Sequence, residues 1–247
     1  MISSQLSKFL YITIIFAFLA SNVARAENDF IVYSPYVVQG RSEIEMYGFN
    51  SQDGRSELDG TIGYNFSVGH AITNWWKVDV YVGEFNRAPG GTTHSSGYEF
   101  ENIFQLSTAG EYWADMGFLA SYSDNIQTGV PDFVEFGPLF EKLSGNISQR
   151  INFILEKQIG NGAGSDYKFR SSYSVRYKLH EEKSTYSPGL EAYFRPADNA
   201  HQLGPVFYGE RQLGGGSELE YSFGVVFGVN QDAPMKTLLA RLEYEFF

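Results

Sequence analysis

The chain has 247 residues, 21 phenylalanines, 17 tyrosines, no cysteine and a formal net charge of −11. The acidic balance argues against nucleic-acid binding. The absence of cysteine excludes a small domain that is stapled by disulfides.

The first 26 residues have the pattern of a secretory signal peptide. Lys8 supplies a positive charge, and a largely apolar run at 9–20 follows, too short to span a bilayer as a helix. The sequence A-R-A at 24–26 offers a cleavage site. We therefore expect an exported chain that begins near Glu27 and is either a soluble periplasmic β-protein or a barrel in the outer membrane.

Two-faced segments fill the chain from residue 42 to 247. At 57–68, apolar and polar side chains alternate strictly, as in a strand with two different faces. The segments run to about 10–12 residues, which suits a tilted strand that crosses a bilayer, whereas soluble sandwiches use about 5–6. The pattern predicts an all-β fold, a closed antiparallel transmembrane β-barrel of twelve strands at 42–50, 57–69, 74–86, 97–107, 112–122, 133–143, 147–157, 167–179, 188–195, 203–212, 218–229 and 235–247.

The even strand count also predicts which connections share an end of the barrel. With the C-terminus in the periplasm, the connections near 70–73, 108–111, 144–146, 180–187 and 213–217 are periplasmic, and the others face outward. A thirteenth spanning strand at 27–41 would place the N-terminus outside. We therefore interpret 27–41, which carries Pro35, as a periplasmic lead-in or as a segment tucked into the lumen mouth.

Two segments, 136–140 and 203–207, share the pattern Gly-Pro flanked by apolar residues. Because proline cannot donate to a strand ladder, each predicts a bulge or a local break. We interpret this echo as repeated barrel geometry.

The closing strand carries the features of a barrel terminus. Amphipathic strands that end on phenylalanine resemble the last strand of bacterial outer-membrane barrels, where the assembly machinery reads that end. Tyr244, Phe246 and Phe247 form this predicted signal, and the three tryptophans, Trp75, Trp76 and Trp113, fall beside periplasmic turns and predict an aromatic girdle. The expected partners are outer-membrane lipids, the barrel assembly machinery and periplasmic chaperones.

Assignment of the strand faces predicts a charged lumen. The acids expected on one wall are Glu57, Asp59, Asp79, Glu99 and Glu101, and the bases expected on another are Arg150, Lys168, Arg170, Arg176 and Lys178. Such a separation would produce a transverse field that selects small polar solutes. Pairing of the same charges would instead plug the lumen. A twelve-stranded barrel lies between filled and open ones, so both alternatives stay open.

Enzyme chemistry has weaker support in the sequence. Twelve-stranded outer-membrane phospholipases need His and Ser close together on the outer wall, and the only close pairing is His94 with Ser95 and Ser96, in a glycine-rich loop. No residue spacing resembles a metal site, and no cofactor is expected. The triplet Gly214–Gly216 is interpreted as a turn between strands.

Four segments carry a family resemblance: YVVQGRSEIE at 36–45, GHAITNWW at 69–76, YEFEN at 98–102 and EYEF at 243–246. They resemble uncharacterised proteobacterial outer-membrane barrels grouped with the putative MetA-pathway-of-phenol-degradation proteins. The resemblance implies an outer-membrane barrel in a Gram-negative bacterium and a passage for small, including aromatic, compounds. It carries no functional residue with it. The sequence therefore predicts a porin-like channel for passive transport of small solutes, with a plugged structural or sensory barrel and an outer-membrane hydrolase as alternatives.

Overall fold

A computed structural model describes residues 30–247, apart from the side chains of residues 83 and 84. The predicted signal peptide and residues 27–29 lie outside the described residues. Twelve long strands form the wall, and a two-residue strand, β9, follows β8 and pairs with β10. The strands are β1 (Ser42–Gln52), β2 (Ile62–Ala71), β3 (Trp76–Arg87), β4 (His94–Gln105), β5 (Asp115–Asn125), β6 (Asp132–Ser144), β7 (Ile147–Ile159), β8 (Tyr167–Tyr177), β9 (Leu179–His180), β10 (Ser184–Arg195), β11 (Ala200–Gly214), β12 (Ser217–Gly228) and β13 (Lys236–Phe246).

The described residues include one three-residue 3-10 helix, Pro196–Asp198. None of their helices is long and apolar enough to cross a membrane.

The sheet closes on itself through its first and last strands. Each long strand pairs antiparallel with its neighbour in the chain, and β1 pairs with β13 from Ser42↔Phe246 to Gln52↔Lys236. Closure leaves no unpaired strand edge, which a barrel in lipid requires. The predicted closed antiparallel barrel of twelve strands is therefore confirmed.

The connections define two ends of the barrel. The terminal end carries the connections 72–75, 106–114, 145–146, 178–183 and 215–216, together with Gly40 and Phe247. The loop end carries 53–61, 88–93, 126–131, 160–166, 196–199 and 229–235. The glycines at 214–216 all have positive φ and form the turn between β11 and β12, as predicted.

The start of β2 differs from the prediction. The segment at 57–61 belongs to a loop, because Leu58 and Asp59 N–H groups donate to the Arg55 carbonyl at 3.1 and 3.0 Å. Gly60 then closes the hairpin: it has a φ of +79°, and its N–H donates to the Ser51 carbonyl at 2.9 Å. The alternation of side chains thus continues through residues that the backbone folds into turns.

The two Gly-Pro segments interrupt the ladder without shifting it. The β6–β7 register is the same on both sides of 137–138, and the β11–β12 register is the same on both sides of 204–205. The glycines are needed because a Cβ on Gly137 would lie 1.8 Å from the Phe153 carbonyl oxygen, and one on Gly204 would lie 2.0 Å from that of Val225. The expected local break is present at both places, and the bulge alternative was wrong.

The wall has an apolar outside and a polar inside. On β1, for example, Ile44 and Met46 are about half exposed on the outward face, whereas Glu43 and Glu45 are buried on the inward face. Large apolar side chains are exposed in the same way on the other long strands. This arrangement reverses that of a soluble protein and is typical of a barrel whose outer face contacts lipid.

Candidate functional site

The segment Phe30–Val37, which we call the lumen segment, lies inside the barrel. It enters at the terminal end, where the Gly40 N–H donates to the Ala71 carbonyl at 2.9 Å, and it ends among residues of the loop-end third. Wall side chains satisfy its polar groups through these bonds: Val37 N–H to Gln105 Oε1 at 2.8 Å, Tyr36 hydroxyl to Asp115 Oδ2 at 2.5 Å, Ser34 hydroxyl to Glu141 Oε2 at 2.9 Å, Ser172 hydroxyl to the Ile31 carbonyl at 3.2 Å, and Tyr193 hydroxyl to the Phe30 carbonyl at 3.0 Å.

Asn152 of β7 is the central anchor of the lumen segment. Its Oδ1 accepts from the Tyr33 N–H at 2.8 Å, and its Nδ2 donates to the Tyr33 carbonyl at 3.1 Å. The Ser172 hydroxyl also donates to Asn152 Oδ1, at 3.1 Å. The amide thus replaces the strand partner that Tyr33 lacks, since buried backbone groups need hydrogen bonds.

Close packing holds the two ends of the lumen segment. Pro35 lies directly over Gly117 of β5, where an added Cβ would come within 2.8 Å of the Pro35 Cβ. The Phe30 ring packs between Phe49 and Tyr193, with centroids 5.0 and 5.1 Å away, and the Arg195 guanidinium lies 4.6 Å from its centroid. The segment is therefore fitted to this lumen by shape as well as by hydrogen bonds.

Apolar side chains close the middle of the lumen around the segment. The buried cluster combines residues of the segment with inward residues of the wall: Phe30, Ile31, Val32, Tyr33, Val37, Tyr47, Phe49, Ala71, Ile103, Leu119, Leu139, Ile154, Tyr193, Val226 and Leu239. A small cavity of about 50 Å³ lies beside Phe30, Ile31 and Val32. The lumen is thus constricted at this level.

A larger, polar cavity of about 290 Å³ lies toward the terminal end. The lumen segment forms one side of it through Ile31, Tyr33, Ser34 and Tyr36. Nine acidic side chains line it, Glu43, Glu45, Asp79, Glu101, Glu210, Glu218, Glu220, Glu243 and Glu245, against six basic ones, Arg41, Lys77, Arg150, Arg176, Lys178 and Arg241. The cavity therefore has an excess of carboxylates.

Only three of the five acids predicted for the acidic wall lie on the inner face of the barrel. Asp79, Glu99 and Glu101 are buried on the inward faces of β3 and β4. Glu57 and Asp59 do not lie on the inner face, because the turns at 55–60 place both in the exposed loop at the loop end. There Asp59 Oδ1 accepts a hydrogen bond from the Asp53 N–H at 2.9 Å. The assignment of these two residues to the lumen was wrong.

The predicted basic wall is ion-paired rather than open. Arg170 pairs with Glu135, Arg150 Nε lies 2.8 Å from Glu141 Oε2, Arg176 lies 3.4 Å from Glu210, and Lys178 lies 3.8 Å from the same carboxylate. Lys168 lies at the loop-end rim, exposed, with its Nζ 3.5 Å from Asp198. The inward acids of β3 and β4 do lie several strands from these bases, as predicted. A wall lined by bases alone was wrong, because acids on β6 and β11 face the same bases.

The sequence interpretation missed the acids on the strands that close the barrel. Glu43 and Glu45 of β1 pair in register with Glu245 and Glu243 of β13, and these pair with Glu218 and Glu220 of β12. All six lie on the polar faces of strands whose polar and apolar residues alternate, and this alternation is the sequence pattern that could have identified them as inward-facing. Their proximity depends on closure of the first strand against the last.

The predicted outer features lie at the terminal end. Trp75 and Trp113 are exposed in its connections, and the Trp75 and Trp76 rings stack with Phe104. The Tyr244 and Phe246 rings stack at 5.5 Å, and Phe247 is exposed beside Arg41. Their roles as membrane girdle and assembly signal stay predictions.

The histidine of the hydrolase alternative has another contact. His94 Nδ1 lies 3.3 Å from the Thr92 carbonyl oxygen, and the buried Ser96 hydroxyl accepts from Asn86 at 2.9 Å. A serine and a histidine that the sequence did not single out, Ser42 and His70, do meet at 2.9 Å at the terminal end. A Ser–His contact alone does not define a nucleophile, which also requires a group that orients the imidazole.

Comparison with solved structures identifies the same type of fold. The COG4313 outer membrane channel from Pseudomonas putida F1 superposes with a TM-score of 0.59 at 12% identity, over 87% of this chain and 99% of that one. The CymD monoaromatic hydrocarbon channel matches at a TM-score of 0.41 and 9% identity, over 84% of this chain and 88% of that one, a likeness too distant to carry an argument. No family model and no curated protein matches the chain. The fold is that of an outer-membrane β-barrel, and membership of the phenol-degradation group stays a prediction.

Proposed function

We propose that the protein is an outer-membrane channel for passive passage of small polar solutes. The observation that carries the proposal is the charged cavity of about 290 Å³ at the terminal end of a closed barrel. Burial of charged side chains is costly, and ionisable groups inside a membrane-spanning protein commonly mark a path for polar species. The fold shared with an outer-membrane channel supports the same function.

In this proposal the terminal end faces the periplasm, and the barrel lies in the outer membrane of a Gram-negative bacterium. The connections at the other end are longer on the whole, as in bacterial outer-membrane barrels. Lipids contact the outward apolar face, and the assembly machinery recognises the last strand. The proposal that the solutes include small aromatic compounds rests on the family resemblance alone.

The lumen segment sets the size of the passage. The apolar cluster around it narrows the middle of the barrel, so we expect the position of the segment to limit the size of the solutes that cross. The second candidate function is a permanently plugged structural or sensory barrel. The fitted contacts of Phe30 and Pro35 favour it.

Single-channel conductance in a planar bilayer tests both candidates. The mature protein should give small discrete steps, and a variant that lacks residues 27–37 should give larger steps, because the constriction is removed. A variant that lacks only 27–29 keeps the lumen segment and is the control. A folded mature protein without any conductance, together with a conducting deletion variant, would favour the plugged barrel. If neither the mature protein nor the variant that lacks 27–37 conducts, the channel function is refuted.

The excess of acids in the cavity also predicts selectivity. The nine acids and six bases favour cations over anions near the terminal mouth. Lys178→Glu should raise the cation preference, which the reversal potential in a salt gradient measures. An unchanged reversal potential in a conducting variant would contradict control of selectivity by this cavity.

A further inference from the structure

The lumen segment is attached along one side of the barrel. Its hydrogen bonds to wall side chains run across β4–β8 and β10, to Gln105, Asp115, Glu141, Asn152, Ser172 and Tyr193. Pro35 also packs directly on Gly117 of β5. A solute could pass between the segment and this part of the wall only if several of these bonds broke.

The open space of the lumen lies on the other side of the segment. Residues of β11, β12 and β13 form much of the lining of the cavity of about 50 Å³, and the cavity of about 290 Å³ lies against β1–β4 and β11–β13. Neither cavity is lined by a described residue of β5 or β6. The segment therefore divides the lumen unequally and leaves room on the β11–β13 side.

The two cavities adjoin each other beside the segment. Six residues line both of them, and we call this set the neck: Ile31, Arg150, Arg176, Glu210, Glu220 and Arg241. The neck thus connects the large cavity at the terminal end with the small cavity in the middle of the barrel.

Beyond the neck, toward the loop end, the lining of the small cavity becomes apolar. Val32 of the segment, Val206 of β11 and Leu239 of β13 line it and are buried. Val206 and Leu239 lie nearer the loop end than Glu210 and Arg241 of the same strands. Apolar contacts of this kind can separate without loss of a hydrogen bond, so the segment can yield more easily on this side than on the attached one.

The charge of the neck differs from that of the large cavity. Three arginines and two glutamates form the neck, so bases exceed acids there, whereas acids exceed bases in the large cavity as a whole. Arg176 is 6% exposed and lies 3.4 Å from Glu210. A charge acts more strongly on a passing ion in a narrow passage with protein walls than in a wide, hydrated one.

We propose that solutes pass the lumen segment on its β11–β13 side, through the neck, and that Arg176 and Glu220 select among them by charge. The inference rests on the proposed channel function and assigns the passage to one side of the segment. Ser222 of β12 lines the small cavity and should therefore lie on the passage. Ser121 of β5 is buried on the inward face and lines neither cavity.

Ser222→Cys and Ser121→Cys form a matched pair, because the chain has no cysteine of its own. A small charged methanethiosulfonate reagent, added to the purified, folded mature protein, should label the Ser222→Cys variant at least about tenfold faster, since the other thiol is reached only when the segment opens. Mass spectrometry measures the labelling rate. In a planar bilayer, the reagent should reduce the conductance of the Ser222→Cys variant and leave that of the Ser121→Cys variant unchanged.

Charge variants test the selection by the neck. In a salt gradient, Arg176→Gln should shift the reversal potential toward cation preference, and Glu220→Gln should shift it toward anion preference. Arg211→Gln on the outward face of β11 and Glu181→Gln in an exposed connection make the same changes in charge away from the passage. Both controls should keep the wild-type reversal potential, and heat-modifiable migration on gels shows that each variant has folded.

Three results would overturn the inference. They are equal or faster labelling of the Ser121→Cys variant, labelling of the Ser222→Cys variant without a change in conductance, and reversal potentials of the neck variants that equal those of their controls. Each of these results can arise in a barrel that conducts, so the channel function would stand. A folded mature protein without conductance would instead refute the channel and the passage together.

Discussion

Replacement of Asn152 by alanine should release the lumen segment without opening the wall. The Asn152 amide makes both hydrogen bonds to the Tyr33 backbone, at 2.8 and 3.1 Å. Its strand, β7, keeps its backbone ladders with β6 and β8, which do not use the side chain. The variant therefore removes an anchor and retains the barrel.

The size of the effect follows from the two lost bonds. Each contributes about 0.5–1.5 kcal/mol net, and the Tyr33 backbone groups are left without these partners. The undocked state should therefore gain about 1–3 kcal/mol relative to the docked one, which corresponds to about a 5- to 150-fold larger population.

Cysteine accessibility measures the undocked population directly, because the chain has no cysteine of its own. Ile31→Cys places a thiol at a site that is 3% exposed, and a membrane-impermeant maleimide reports its release. The labelling rate should rise about 5- to 150-fold when Asn152→Ala is added. Gln149→Ala on the same strand removes an outward-facing contact with Tyr173 and is the control. An unchanged rate in the Asn152 variant would refute the anchoring role.

Three further predictions concern the lumen segment and one loop. Gly117→Val should displace Pro35, since even a Cβ would lie 2.8 Å from the Pro35 Cβ, and liposome swelling should show faster solute entry than in the wild type. Deletion of 27–37 should leave migration on gels heat-modifiable, and loss of the folded band would show that the segment is needed for the barrel. Hydrogen bonds from Arg55 and the Met235 N–H lower the pKa of Asp53 below its usual range. The loop therefore gains stability from Asp53 above about pH 3.9, the ordinary pKa, and loses it as the pH falls toward the lowered pKa. NMR titration of labelled aspartate carboxyls should find the Asp53 midpoint below that of a free aspartate, and an ordinary midpoint would contradict the contact.

The strands were predictable because the barrel has two different surroundings. Lipid outside and polar groups inside impose a period of two on every crossing. The length of the alternating segments indicated a barrel that spans a bilayer, and their number gave twelve strands. The start of β2 was not predictable in this way. Alternation continues through Glu57 and Asp59, and only the turn hydrogen bonds to the Arg55 carbonyl take them off the wall.

Charge pairing was not predictable from strand faces alone. A face assignment shows that Arg170 and Glu135 both point inward, but their contact depends on strands β6, β7 and β8 lying side by side in a given register. The same limit applies to the glutamates of β1, β12 and β13, since Glu43 and Glu245 are 202 positions apart in the chain and meet only where the barrel closes. Register was the missing information in both cases.

The backbone of the lumen segment is hydrogen-bonded in a different way from that of the wall strands, which is why the sequence left the location of this segment open. A strand satisfies its backbone through a neighbouring strand, but Pro35 lacks a donor and Tyr33 is bonded to a side chain. Its hydrogen-bond partners lie on β4 to β8 and β10, whereas the glutamates that pair in register on β12, β13 and β1 occupy the opposite wall. Because the closed ladder of the wall is complete without it, the segment is the part of the lumen that can move while the barrel stays folded.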